Sequence, residues 1–186
     1  MKISCLASHN DASIFVGGPS QIAYGLTLVL LLLTACATQP VQTQVPASLV
    51  PVGERQVDRF ESRGMLTYEC RAKAGAASSA EWGYVAAEIE LIDGQGKGIG
   101  KHTFPPPLWQ ALDGSKFTGT IKARADAPQA GAAPWLLVST RSTGGEGRFS
   151  KITSLQRVNT QGGIAPTRRC DGTTIGAKER VAFTSD

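Results

Sequence analysis

The chain has 186 residues, with 19 Lys and Arg against 15 Asp and Glu, which gives a formal net charge of +4 at pH 7. This excess of positive charge is scattered along the sequence, whereas a nucleic-acid-binding surface normally has a dense basic stripe, so we expect no nucleic-acid partner. The length suits about one domain once an N-terminal targeting segment is set aside.

An apolar segment runs from Ile22 to Ala35 and is followed directly by Cys36. It is shorter than the about 20 residues of a membrane-spanning helix but suits the roughly 7–15 residues of a signal-peptide core. Its last residues, Leu-Thr-Ala, resemble the end of a bacterial lipoprotein signal. The sequence therefore predicts a signal peptide over residues 1–35 and lipidation of Cys36, so that acyl chains anchor the protein to a membrane.

The residue after the predicted lipidated cysteine is Ala37, not an aspartate. By resemblance to the sorting rule of Gram-negative lipoproteins, this indicates an outer-membrane lipoprotein of the cell envelope that faces the periplasm. Residues 36–53 contain prolines among Gln, Thr and Val, which is typical of a linker that lifts a domain off the membrane. Residues 54–186 are then expected to form the folded domain.

Four cysteines are present, of which Cys5 lies in the predicted signal peptide and Cys36 is predicted to be lipidated. Cys70 and Cys170 remain, and two cysteines in an oxidising compartment are predicted to form a structural disulfide. The alternatives are a redox-active pair and a metal site. The lack of a C-x-x-C spacing argues against the first, and the scarcity of histidine argues against the second.

Turn-forming, glycine-rich sequences recur at short intervals through the rest of the chain. They are residues 93–96, 113–115, 143–145 and 161–163. Between them lie short runs with the alternating pattern of strands, and Trp135–Val138 is continuously apolar, as in a central strand. The best helical candidate, Glu54–Ser62, is short. The sequence therefore predicts a single all-β domain, a β-sandwich or a small barrel-like domain, with one disulfide.

His102 is the single histidine outside the predicted signal peptide, so a metal site with two or more histidine ligands is excluded within one chain. Together with Trp109 and Asp113 it forms a candidate ligand-binding group, in which Trp109 offers a stacking platform for a sugar ring or an aromatic. In the alternative interpretation, Trp109 packs in the core and His102 binds a backbone group. A mononuclear metal site at His102 with carboxylates stays open as a third possibility, although no metal and no cofactor is expected.

Arg157 and Asn159 form a second candidate ligand-binding group near the C-terminus. Together they offer a fork of donors suited to a carboxylate, a sulfate or a backbone carbonyl. The alternative is that these polar side chains satisfy backbone groups in a loop tied by the disulfide.

Several motifs in combination resemble the secreted bacterial and fungal family known only as domain of unknown function 3455. In chain order they are Tyr68-Glu69-Cys70, Gly100-x-His102, Trp109 with Asp113-Gly114-Ser115, Pro134-Trp135-Leu136-Leu137, and Gln156-Arg157-Val158-Asn159-Thr160-x-Gly162-Gly163-x-Ala165-Pro166 followed by Cys170-Asp171. The last of these is the most specific. The resemblance runs from Gly64 to near the C-terminus and implies export and a β-rich domain, but the family carries no established activity to transfer.

The sequence favours a lipid-anchored, non-catalytic envelope domain that binds a glycan, a small molecule or another envelope protein. The alternative is a hydrolase-type enzyme that uses His102 with Asp113 or Ser115. The two hypotheses predict different geometry. Proton transfer requires His102 within hydrogen-bond reach of a carboxylate or hydroxyl, whereas a deep pocket lined by His102, Trp109 and Arg157 would favour binding.

Overall fold

The computed structural model describes residues 44–186, apart from the side chains of residues 77 and 78. The signal peptide predicted over residues 1–35, the lipidation predicted at Cys36 and the first part of the predicted linker lie outside the described residues. Within residues 44–186, no helix is long and apolar enough to cross a membrane.

One antiparallel sheet of nine strands makes up the described chain. The strands are β1 (Glu61–Lys73), β2 (Ala76–Ile92), β3 (Gly98–Phe104), β4 (Leu108–Ala111), β5 (Lys116–Ala125), β6 (Trp135–Ser142), β7 (Ser154–Arg157), β8 (Gln161–Gly162) and β9 (Lys178–Ser185). Their order in the sheet is β7-β6-β5-β4-β3-β2-β1-β9-β8. Strands β1 to β7 therefore lie side by side in chain order, each joined to the next by a hairpin connection. The chain then returns to the other side of β1, where β9 pairs with β1 and β8 pairs with β9.

The sheet curls into a half-barrel, which confirms the prediction of an all-β, barrel-like domain. The expected short helix over Glu54–Ser62 does not form, since residues 54–60 lack regular structure and β1 begins at Glu61. The spacing of Val57 and Phe60 suggested a helix, but only Phe60 packs inward, with its ring centroid 5.7 Å from that of Phe149.

Backbone hydrogen bonds join the two ends of the strand order. Val158, directly after β7, exchanges two hydrogen bonds of 2.9 Å with Asp186, directly after β9. Ala133, just before β6, donates to the carbonyl of Gly162 in β8 at 2.7 Å. The curl therefore brings β6 and β7 next to β8 and β9 and leaves an interior face between them.

The main core lies on this interior face, because alternate side chains of each strand point to it. Its buried members are Leu66, Ala87, Ile89, Leu91, Ile99, Ala111, Phe117, Ala133, Phe149 and Phe183. Glycine allows neighbouring strands to approach each other closely at two positions. A Cβ on Gly64 would lie 2.1 Å from the carbonyl oxygen of Glu88, and a Cβ on Gly100 would lie 2.3 Å from the carbonyl oxygen of Gln110. These contacts allow the sheet to curl tightly.

A second, smaller core lies on the outer face of β5 and β6. Leu49, at the end of a short 3-10 helix (Ala47–Leu49), is fully buried there and packs with Trp135 and Leu137. The side-chain amide of Gln156 donates to the carbonyl of Leu49 at 2.7 Å. Residues 45–50 lie within the range expected for the linker, yet this part of the chain packs on the sheet.

The predicted disulfide is confirmed. Cys70, near the end of β1, is bonded to Cys170 in the loop between β8 and β9, with their Cα atoms 5.5 Å apart. The same loop is held by backbone hydrogen bonds of 2.9 Å from Cys70 to Ala177 and 2.8 Å from Gly176 to Cys70. The bond thus ties an early strand to a late loop.

Candidate functional site

A cavity of about 430 Å³ opens on the concave face of the half-barrel. Small-molecule sites in proteins commonly have volumes of roughly 300–1,000 Å³ and a mostly apolar lining. Here the lining is largely aromatic and aliphatic, and it includes His102, Trp109 and Arg157 among the residues expected from the sequence. The cavity therefore unites members of both candidate groups.

Strand register explains why the aromatic side chains meet. His102 in β3 pairs with Ile89 in β2 and with Trp109 in β4, and Trp109 pairs in turn with Phe117 in β5. The rings of His102 and Trp109 stack with their centroids 4.0 Å apart, and those of Trp109 and Phe117 lie 5.2 Å apart. These side chains share the interior face because directly opposite residues of an antiparallel pair point to the same side of the sheet.

A second aromatic pair stands beside the first. The rings of Tyr84 and Phe104 are stacked with their centroids 4.7 Å apart and their planes 24° apart. Phe104 lies two residues after His102 on β3, so both side chains face the interior. Tyr84 and Phe104 were not among the site residues expected from the sequence. Alternation along β2 and β3 was a signal for their facing one side, but only the curl of the sheet places them at a cavity.

The imidazole of His102 is neutral in this setting. Burial lowers its pKa to about 4, with the hydrogen bond to Leu108 acting in the opposite direction and the Arg157 cation lowering it further. Its Nδ1 lies 3.1 Å from the carbonyl oxygen of Leu108. Because a carbonyl can only accept, Nδ1 carries the proton of the neutral ring and Nε2 is left as an acceptor. Nε2 has no hydrogen-bond partner within residues 44–186.

Arg157, the last residue of β7, places a cation at the cavity. Its Nη2 donates to the carbonyl of Pro134 at 2.7 Å, and its guanidinium carbon lies 5.4 Å from the ring centre of Phe183. Its Nε is buried and has no hydrogen-bond partner in the described part of the chain. The ion pairs that the structure shows among residues 44–186 do not include Arg157.

Burial lowers the pKa of Arg157 to about 10, so the side chain still carries its charge at pH 7. Tyr84 and Tyr68 raise this pKa, and Arg124 lowers it. Arg124 in β5 and Arg157 in β7 both pair with Leu136 in β6, so the two arginines lie on the same face. None of the groups that act on the pKa of Arg157 is a carboxylate.

Asp113 and Ser115 lie in the β4–β5 turn and do not line the cavity. One carboxylate oxygen of Asp113 accepts from the backbone N–H and the hydroxyl of Ser115 at 2.9 and 2.6 Å, and the other accepts from the backbone N–H of Arg148 at 2.8 Å. The hydroxyl of Ser115 in turn accepts from the N–H of Phe149 at 3.0 Å. The Arg148 N–H, followed by Ser115, lowers the pKa of Asp113. Across the described residues, no hydrogen bond joins this group to His102.

Asn159 lies two residues beyond Arg157 but serves a different contact. It has a positive φ of 51°, and its side-chain amide donates to the carboxylate of Asp186 at 2.8 Å. Arg157 binds the carbonyl of Pro134 instead, so the fork of donors expected from the two residues is not formed. Asn159 lines a shallower polar pocket next to the main cavity.

No cluster of three or more His, Cys, Asp and Glu side chains suited to a metal ion is found in residues 44–186.

Tyr68, which belongs to one of the motifs quoted from the sequence, donates a hydrogen bond from its hydroxyl to the carbonyl of Gly163 at 2.7 Å. That bond ties β1 to the end of β8 beside the cavity wall, and burial raises the pKa of Tyr68.

A family model described as "Protein of unknown function (DUF3455)" matches residues 51–186. The comparisons with curated proteins and with solved structures give no match. The matched range covers all nine strands, so it includes both the cavity and the disulfide.

Proposed function

Because the chain belongs to the DUF3455 family, which is described only as proteins of unknown function, we propose its function from the cavity itself. The domain binds a small organic anion and does not catalyse a reaction. Its ligand has an apolar, aromatic body that fills the cavity and an anionic group, such as a carboxylate, that pairs with Arg157.

The arrangement of Arg157 is the observation that carries this proposal. Removing a cation from water costs several kcal/mol, and buried charges are normally paired and fully hydrogen-bonded. Here Nη2 has one neutral partner, the carbonyl of Pro134, and the buried Nε has none in residues 44–186. A carboxylate in the cavity would supply the missing charge and acceptor, and the guanidinium fork suits its planar geometry.

The remaining lining suits an apolar ligand body. The stacked pairs His102–Trp109 and Tyr84–Phe104 offer ring faces and edges to the cavity. Burial of apolar surface contributes about 25 cal/mol per Å² removed from water, so the body of the ligand supplies affinity while the anion supplies selectivity.

The hydrogen bonds of the candidate catalytic residues support binding over the hydrolase alternative. His102 is bonded to the Leu108 carbonyl, whereas Asp113 and Ser115 are bonded to each other and to the backbone of Arg148 and Phe149. A general base acts only within hydrogen-bond reach of the proton that it removes. The role of Asp113 and Ser115 is then to fix the β4–β5 turn.

We also propose that acyl chains on Cys36 hold the domain at the outer membrane, facing the periplasm. The support is the apolar segment ending in Leu-Thr-Ala before Cys36. The intact mass of the protein from a membrane fraction should correspond to an acylated chain that begins at Cys36. A mass that retains residues 1–35 without acyl groups would contradict this part of the proposal.

Two probes that differ in one anionic group test the binding function. Anilinonaphthalene sulfonate and N-phenyl-1-naphthylamine share an aromatic body, but only the first carries a charge, and the fluorescence of both rises on burial. We expect Arg157→Met to weaken the sulfonate about 10- to 100-fold, since hydrogen bonds to charged groups contribute about 1.5–3 kcal/mol. The neutral probe should change by less than about threefold, which is about 0.6 kcal/mol.

Arg180→Met is the matched control, because it removes a positive charge from the outer face. Arg180 is exposed and ion-paired with Glu88. It should leave the affinity for both probes unchanged. Equal affinity of wild type and Arg157→Met for the sulfonate would overturn the proposed function.

A further inference from the structure

We infer that the ligand also carries a hydroxyl group that donates a hydrogen bond to Nε2 of His102, so that its class is a hydroxylated aromatic acid. This inference rests on the proposed function, because it concerns a second contact in the same cavity. It follows from the fixed orientation of the His102 ring and from the polarity of its free nitrogen.

Two contacts fix the His102 ring in the cavity wall. Nδ1 is held by the Leu108 carbonyl at 3.1 Å, and one ring face is covered by Trp109 at a centroid distance of 4.0 Å and an interplanar angle of 11°. Ile89, the Cα partner of His102 on β2, is buried on its other side. A ring held in this way cannot exchange its two nitrogens without losing a hydrogen bond, so Nε2 keeps its place and its role as acceptor.

Within residues 44–186, no side chain donates a hydrogen bond to this acceptor. Arg157, the nearby cation that acts on His102, directs Nη2 to the Pro134 carbonyl. Tyr84 also lines the cavity, but its hydroxyl makes no hydrogen bond to His102 in the described chain. Nε2 is not among the buried atoms that lack a partner, so it stays accessible from the cavity, and a ligand hydroxyl would take the place of water at this acceptor.

Of the polar residues that line the cavity, Arg157 and His102 require opposite partners. Arg157 offers only donors and a positive charge, so it selects an anion. Nε2 of the neutral imidazole offers a lone pair, which repels a carboxylate and attracts a hydroxyl hydrogen. The ligand is therefore oriented, with its acid group at Arg157 and its hydroxyl at His102. The aromatic side chains of Trp109, Tyr84 and Phe104 lie around His102 and favour an aromatic ring between these two groups.

Calorimetric titration with naphthoates tests the inference on the whole domain. The probes are 2-naphthoate, its ring-hydroxylated isomers, and the methyl ether of each isomer. At least one hydroxylated isomer should bind about 10-fold more tightly than 2-naphthoate, and its methyl ether should lose that gain, since the ether has no hydrogen to donate. A tenfold gain corresponds to about 1.4 kcal/mol.

His102→Phe keeps a ring to stack on Trp109 and removes the acceptor. In this variant we expect the ratio of the affinities for the hydroxylated isomer and for 2-naphthoate to fall from about 10 to about 1, whatever the absolute affinity for 2-naphthoate. Lys101→Gln, next to His102 but on the exposed outer face, is the control and should keep the preference. If the preference survives in His102→Phe, the inference is overturned.

A second measurement keeps the inference testable if His102→Phe does not fold. His102 is the single histidine of residues 44–186, so the ¹⁵N signal of its Nε2 can be assigned directly. It should move upfield, as expected for an acceptor that gains a hydrogen bond, with the hydroxylated isomer and not with its ether. If no isomer binds better than 2-naphthoate, the inference fails while the Arg157 dependence still supports the proposed function; if no naphthoate binds at all, both fail.

Discussion

The rings of His102 and Trp109 lie stacked face to face, with centroids 4.0 Å apart and planes within 11° of parallel. The two residues are Cα partners across β3 and β4, so the register of one hairpin creates the stack. The stack covers one face of the imidazole and shields it from water. Because burial penalises the charged form, the pKa of His102 falls from 6.5 to about 4.

This pKa predicts a specific loss of stability in acid. The pKa of His102 is lower in the folded state than in the unfolded state, so below pH 6.5 the unfolded chain takes up a proton before the folded protein does. The free energy of unfolding is therefore unaffected by His102 above pH 6.5 and decreases as the pH falls toward 4. The loss should reach about 3 kcal/mol in the free energy of unfolding at pH 4. Urea titrations at pH 7 and pH 4 should show that the free energy of unfolding falls by about 3 kcal/mol less in His102→Phe than in wild type. Parallel losses in the two proteins would contradict a buried, neutral His102.

Asp113 is predicted to stabilise a turn without affecting ligand affinity. Asp113→Ala removes the acceptor for the N–H of Arg148 and the partner of the Ser115 hydroxyl. We expect faster hydrogen exchange at the amides of Arg148 and Phe149 and an unchanged affinity for the anionic naphthalene probe. A variant with native exchange rates and lost binding would assign Asp113 to the ligand site instead.

Leu49 is predicted to belong to the folded domain. It is fully buried against Trp135 and Leu137, whereas Val52, three residues later, is 97% exposed. Leu49→Ala should lower the free energy of unfolding by about 2–5 kcal/mol, because it leaves a cavity in the outer core. Val52→Ala should change it by less than about 0.5 kcal/mol. Equal stabilities of the two variants in urea would show that residues 45–50 do not pack as described.

Arg157 is predicted to contribute little to stability. Replacing a buried charge by an apolar side chain of similar volume is often neutral or stabilising, and the lost bond to the Pro134 carbonyl costs about 1 kcal/mol. Without ligand, Arg157→Met should therefore unfold within about 1 kcal/mol of wild type. The matched core variant Leu137→Ala should lose about 2–5 kcal/mol. A loss of that size in Arg157→Met would indicate that Arg157 serves the fold.

Local patterns predicted the strands and the disulfide. Alternation in β1 and β5, the apolar run Trp135–Val138 and the glycine-rich turns are properties of neighbouring residues, so they can be recognised without the fold. The pairing of Cys70 and Cys170 followed from counting cysteines in a chain that was expected to be exported. The same reasoning wrongly predicted a helix over Glu54–Ser62. An apolar spacing of three residues also occurs in an irregular segment with one inward side chain, so the spacing did not distinguish the two.

The cavity could not be predicted, because it depends on the curl of the sheet. His102, Trp109 and Arg157 were candidates on chemical grounds, but their meeting requires β3, β4 and β7 to curve around one interior. Tyr84 and Phe104 carried no sequence signal beyond alternation. Leu49 was missed for a different reason: proline and polar residues around it resemble a linker, and tertiary packing overrides that local composition.

A crystal structure of the domain with anilinonaphthalene sulfonate would locate the anionic group of a ligand relative to Arg157. We expect the naphthalene ring in the cavity beside Trp109 and a sulfonate oxygen within hydrogen-bond distance of the guanidinium of Arg157. A probe bound outside the cavity, or bound within it with its sulfonate turned toward solvent and away from Arg157, would contradict the account.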